Sequence, residues 1–198
     1  MPDKPDLTAL LGSRICHDLI SPIGAISNGL ELLMMDGTQG GPEMVLISES
    51  VANANARIRF FRVAFGVANP DQRIGRAEVQ SILSDLTRGG RLAIDWHSGV
   101  DLSRPEVKFV FLLIQCLENA MAYGGRISVS TTDEKWLITG QANRLKINTD
   151  LWEVLANPAA TLEITPALVQ FPLVADEILR RGYRLRTTLS ETEIQLDF

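Results

Sequence analysis

Residues 6–35 and 43–67 each repeat apolar side chains at helical spacing, and only the turn-forming run DGTQGGP (36–42) separates them. In the first segment these are Leu11, Ile15, Leu19, Ile26, Leu30 and Leu33. In the second they are Val45, Leu46, Val51, Ala54, Ile58, Phe61 and Phe65. Asp6 or Thr8 can cap the first helix, and Pro42 suits the opening of the second. A helix, a short turn and a helix make an antiparallel hairpin. Two helices cannot enclose a core, because each has only one partner against which to bury its stripe. Either the rest of the chain covers the hairpin or a second copy completes a four-helix bundle, and a homodimer is the expected solution.

After VANPDQRIG (67–75), which reads as a linker, the pattern changes. AEVQSILSDL predicts a helix and LAIDWH a strand. RPEVKFVFLLIQCLENAMAYGG predicts a long buried helix closed by a glycine pair. RISVSTT, KWLITGQ and RLKIN alternate with the period of strands, ALVQFPLVADEILRRG predicts a helix, and YRLRTTLSETEIQLDF a strand hairpin. The expected fold class is α+β: a helical hairpin over 1–68 and, over 69–198, an α/β sandwich with helices on one face of a mixed sheet. With 45% hydrophobic and 22% charged residues in 198, the chain can bury a sizeable core. A net charge of −5 with no basic stripe argues against nucleic acid as a partner. Cys16 and Cys116 lack a CxxC spacing and are expected to be reduced core thiols. No secretion signal is visible, and no apolar run reaches the roughly 20 residues that span a bilayer. The expected location is the cytoplasm, away from membrane.

The stretch ICHDLISPIG (15–24) holds the first helix's only histidine. At about 100° per residue, Ser13, Arg14, Ser21, Gly24, Asn28 and Glu31 fall within about 60° of His17. Ile15, Leu19, Pro22, Ile26, Leu30 and Leu33 fall on the opposite side. The imidazole therefore stands on the polar stripe. Ser21 and Gly24 are small and leave room for another protein to approach the ring. Asp18 can orient the imidazole, and Arg14, one turn earlier, can pair with a phosphoryl oxygen, a partner's carboxylate or a carboxylate of its own helix. Pro22 removes the amide that would bond the Asp18 carbonyl and loosens the helix there. No HxxxH or HxxE spacing supports a metal site at His17, and no G-x-S-x-G elbow supports a serine hydrolase. His97, at a strand end, reads as structural. An outward histidine with an acidic neighbour and a basic residue one turn away suits phosphoryl transfer through phosphohistidine.

The same residues resemble a known family. HDLISPI (His17, Asp18, Ser21, Pro22, Ile23) is similar to the H-[ED]-x-x-[TS]-P-[LI] phosphoacceptor motif of dimeric sensor histidine kinases. QCLENAMAYGG resembles their asparagine box, with Asn119 and Ala120 matching and Gln115 replacing the first Asn. The departures are as informative. Where a kinase has D-x-G-x-G, this chain has LITGQANRL, without the adenine-reading aspartate. Where the phosphate loop G-x-G-x-G belongs, it has ITPALVQFPLV, without a glycine. Mg²⁺ coordination through Asn119 also lacks its companion at Gln115. A kinase-like chain that keeps its histidine and loses its nucleotide site resembles the ChpT-type histidine phosphotransferases of alphaproteobacterial phosphorelays, as does FFRVAFG (60–66).

That resemblance implies a dimerisation and phosphotransfer hairpin over 1–68 and a degenerate kinase-like domain over 69–198. It implies transfer from the receiver domain of a hybrid kinase onto His17, and onward to response regulators such as CtrA and CpdR. No cofactor of its own is expected, Mg²⁺ belonging to the partner receiver. Asp18 is expected to orient the ring, while Arg14, Ser21, Gly24 and Asn28 form the docking stripe. The alternatives are an ATP-dependent autokinase with an unusual nucleotide site, and a non-catalytic scaffold that only binds receivers.

Overall fold

A computed structural model describes residues 6–36, 41–132, 135–157 and 164–198. Helix α1 (Leu7–Asp36) and helix α2 (Pro42–Ala64) form the hairpin; most of the turn expected between them lies outside the described residues. Asp6 caps α1, its carboxylate accepting the amides of Thr8 and Ala9 at 3.0 and 3.1 Å. The two helices approach closely at Gly29, where a Cβ would lie 2.7 Å from Cγ1 of Ile47. Pro22 is buried, and α1 runs through it.

The hairpin buries only part of its apolar surface. Ile20, Ile23, Leu30 and Met34 of α1 and Val45 and Val51 of α2 all stay exposed. Leu30, expected in the seam, is 53% exposed. Cys16 is exposed rather than a core thiol, because it lies about a quarter-turn from His17 on the side away from α2. Cys116 is buried as expected.

The end of α2 enters the core of the second half: Phe60, Phe61, Val63 and Ala64 are buried in one cluster with helices α3 (Arg76–Thr87) and α4 (Arg104–Ala120). Two short strands, β1 (Arg73–Gly75) and β3 (Asp101–Ser103), pair antiparallel, so the expected linker ends in a strand. The main sheet has the order β2-β4-β5-β7-β6. It comprises β2 (Leu92–His97), β4 (Gly125–Thr132), β5 (Lys135–Gln141), β7 (Glu193–Asp197) and β6 (Arg186–Leu189). Only β2 and β4 run parallel; the other pairs are antiparallel. The class is α+β.

Helix α4 is the hub, buried without interruption from Phe109 to Leu117. Phe111 stacks on Phe60 of α2 at 4.7 Å and meets Trp96 of β2 edge-on at 6.1 Å. The glycine pair that follows α4 has φ of 96° and 143°, and a Cβ on Gly125 would lie 2.3 Å from the Gln141 carbonyl. RLKIN is not a strand. Leu145 and Ile147 pack on the core from an irregular segment, whose Lys146 amide donates to the Ala120 carbonyl at 2.8 Å. Helix α5 (Thr149–Ala156) follows, capped by Asn148. Helix α6 (Gln170–Arg181) comes after a 3-10 turn at Pro166–Leu168. Among the described residues no helix is long and apolar enough to cross a membrane.

Between α4 and α6 lies a buried ion cluster. Glu177 is 3% exposed; Arg181 donates to it at 2.7 Å, Lys108 lies 3.2 Å away, and Arg180 also donates. Burial alone would push this carboxyl up, but hydrogen bonds from Arg180 and Arg181, with Lys108, hold it down at about 2. A folded pKa below the usual 4.5 stabilises the fold above the unfolded pKa, and that stabilisation is lost as pH falls from about 5 to about 2. The contribution at neutral pH is on the order of 3 kcal/mol. Urea unfolding should therefore show wild-type stability dropping across that window. Glu177→Gln should be less stable than wild type at pH 7, and the gap between the two should close as pH falls from about 5 to about 2.

Candidate functional site

Ten residues past the start of α1, His17 projects into solvent with 86% of its side chain exposed. Its Nδ1 lies 3.2 Å from Oδ1 of Asp18. An ionised carboxylate can only accept, so this contact places the proton on Nδ1 and leaves the Nε2 lone pair outward. Asp18 itself is turned in, its side chain 11% exposed. A half-sunk carboxylate needs partners, and two arginines supply them on Oδ2. Arg14 Nε donates at 2.8 Å, and an Nη of Arg57 on α2 lies at 3.8 Å.

Arg14 is committed in a second direction. Its Nη1 donates at 2.6 Å to the carbonyl of Ala167, in the turn that precedes α6. Expected on the docking stripe, Arg14 is in fact 18% exposed and braced between Asp18 and Ala167. Ser21, Gly24 and Asn28 lie open beside His17. No atom lies within 4 Å of where a Gly24 Cβ would be. Below them, Ser21, Pro22 and Ala25 of α1 and Glu49, Asn53 and Arg57 of α2 line an open groove. Glu118, at the end of α4, feels the same charges. Desolvation raises its pKa; Arg57 and Arg14 oppose the rise, and Asp18 adds to it.

Arg57, Glu118 and the Ala167 carbonyl are parts of this site that the sequence alone does not reveal. Nothing in ARIRFFRVAFG separates Arg57 from Arg59 or Arg62 until the hairpin register is known. That register, set where Gly29 meets Ile47, brings Arg57 level with Asp18 and leaves Arg59 to pair with Asp85 of α3 at 2.7 Å. His97, at the end of β2, makes no part of the site. Among the described residues no cluster of three or more His, Cys, Asp or Glu is arranged to hold a metal ion. The kinase-like positions are occupied differently. Gln115 is buried in α4 with its Oε1 unpartnered, and the segment before α6 forms the 3-10 turn that receives Arg14.

A helical hairpin presenting an oriented, solvent-facing imidazole, joined to an α+β unit, defines a phosphotransferase that works through histidine. The model of the histidine phosphotransferase C-terminal domain matches residues 76–193. The protein phosphotransferase ChpT of Brucella abortus (strain 2308) is 36% identical over 171 residues, 83% of this chain and 81% of that protein. A solved structure described as a bacterial phosphotransferase matches with a TM-score of 0.81 at 30% identity, over 100% of this chain and 97% of the other. The chain belongs to the histidine phosphotransferase family.

Proposed function

We propose that His17 is the phosphoacceptor of a phosphorelay. It takes the phosphoryl group from the aspartate of a hybrid kinase's receiver domain and passes it to response regulators of the CtrA and CpdR type. The observation that carries this reading is the exposed ring held by Asp18 with Nε2 outward. The Nε2 lone pair forms a bond to phosphorus as the bond from phosphorus to the receiver's carboxylate oxygen breaks. The carboxylate leaves with the electron pair, and the Nδ1 proton stays on its hydrogen bond to Asp18. The second receiver's aspartate reverses these events. The receiver supplies the Mg²⁺; this chain supplies the nucleophile, its orientation and a docking surface of Ser21, Gly24 and Asn28 beside the α1–α2 groove. Neither the adenine-reading aspartate nor the phosphate-loop glycines are in the sequence, which supports transfer without ATP. As a relay between receivers, the protein acts in the cytoplasm.

The test is a purified phosphorylated receiver mixed with this chain. The label should move and map to His17 by mass spectrometry, while γ-labelled ATP alone leaves the chain unlabelled. Labelling by ATP alone would make it an autokinase. Receiver binding with no phosphohistidine would make it a scaffold.

We further propose that two copies pair through the exposed apolar stripe of the hairpin, with 1–68 as the pairing and transfer unit and 69–198 as the kinase-like one. Ile20, Ile23, Leu30 and Met34 lie about 60–140° around α1 from His17, so pairing there leaves both rings free. Light scattering should give the mass of a dimer for the wild type and of a monomer for Ile23→Glu. A monomeric wild type would end this part.

A further inference from the structure

We propose that Arg14 and Arg57 are positioning residues for the transfer, and that the C-terminal domain holds the phosphoacceptor in register through the Ala167 carbonyl. The proposal rests on the reading of His17 as phosphoacceptor and says what keeps that ring ready. Asp18 has two oxygens with separate duties. Oδ1 faces Nδ1 of His17, while Oδ2 takes Arg14 Nε at 2.8 Å and faces Arg57 at 3.8 Å. A carboxylate oxygen hydrogen-bonded to the Arg14 guanidinium, with the Arg57 guanidinium 3.8 Å away, is restrained from swinging, which keeps the other oxygen aimed at the ring.

The grip is itself anchored. Arg57 Nε donates to Asn53 Oδ1 at 3.1 Å, fixing it along α2. Arg14 reaches across to Ala167 at 2.6 Å, which ties the first turns of α1 to the segment before α6. In a chain that resembles a kinase, that segment stands where the phosphate loop would be. Here it has no glycine, forms a 3-10 turn and offers a backbone carbonyl to the phosphotransfer helix. The domain's contribution to transfer is thus mechanical and electrostatic: it supplies a fixed acceptor for one end of Arg14. Other charged groups facing the cluster are Glu49 of α2, in the groove, and Glu118 of α4, whose carboxyl interacts with both arginines.

The readout is the tautomer of the His17 ring, seen in long-range proton–nitrogen NMR spectra at about pH 9, where an ordinary histidine is neutral. Wild-type protein should show the Nδ1–H form, and Asp18→Asn sets the scale of its loss. Arg14→Gln should shift the ring toward the Nε2–H form and slow transfer from a phosphorylated receiver by roughly 10- to 100-fold, the size of effect seen when the groups that orient metal-binding histidines are removed. Phosphate should still arrive at His17. Arg57→Gln, with the longer contact, should do the same to a smaller extent, and it covers the case in which Arg14→Gln fails to fold. Arg14→Lys keeps the charge without the fork and should recover only part of the rate. An unchanged tautomer in Arg14→Gln and Arg57→Gln overturns the proposal, even where transfer slows, since the arginines would then act in docking or folding. If wild-type protein carries no phosphate at His17, the phosphoacceptor reading fails instead, and the tautomer shift remains measurable without it.

Discussion

His17→Ala protein should fold as the wild type does and accept no phosphoryl group from any receiver. The ring is 86% exposed and, among the described residues, is hydrogen-bonded to Asp18 alone, so its removal should change stability by no more than about 0.5 kcal/mol. The chemistry has no substitute. Transfer needs a neutral nitrogen with a free lone pair, and the other histidine, His97, sits at the end of a strand in the sheet. Label transfer monitored over time, with a melting curve as control, reads both halves of the expectation. Transfer that persists would assign the nucleophile elsewhere.

Phe111→Ala should cost about 3–5 kcal/mol, the range for truncating a fully buried phenylalanine. The side chain is 0% exposed, and the cavity would open between Phe60 of α2 and Trp96 of β2. The consequence reaches the hairpin. Phe60, Phe61, Val63 and Ala64 belong to the same cluster, so α2 depends on the second half of the chain for its C-terminal turns. Circular dichroism, which follows the helices, and tryptophan fluorescence, which follows the sheet and α5, should therefore lose structure together in urea. Two separated transitions would mean that the hairpin stands alone.

Much of this architecture is legible in the amino acids, for identifiable reasons. The hairpin is announced by 3.6-residue apolar periodicity on both sides of a turn, and α4 by an apolar run too continuous for a surface helix and closed by two glycines. The outward histidine follows from angle alone. Errors come where two signals compete. RLKIN alternates like a strand, yet Leu145 and Ile147 reach the core from a segment bonded to the end of α4. The helix TDLWEVLA, capped by Asn148 with Leu151, Trp152 and Leu155 buried, carries its own cap signal and was masked by that reading. Cys16 looks interior beside Ile15, but one residue is about 100° of rotation. Arg57 as a partner of Asp18 and the Ala167 carbonyl as a partner of Arg14 could not be read, since they come together across 39 and 153 residues of chain.

Gly24 leaves a vacant spot on the surface of α1: a methyl group there would touch nothing. Glycine within a helix forfeits about 1 kcal/mol relative to alanine. Among the described residues no side chain packs against that spot, and it lies on the face that also carries the imidazole. Under the docking proposed above, this locally weak position is where a receiver's backbone would come close to α1.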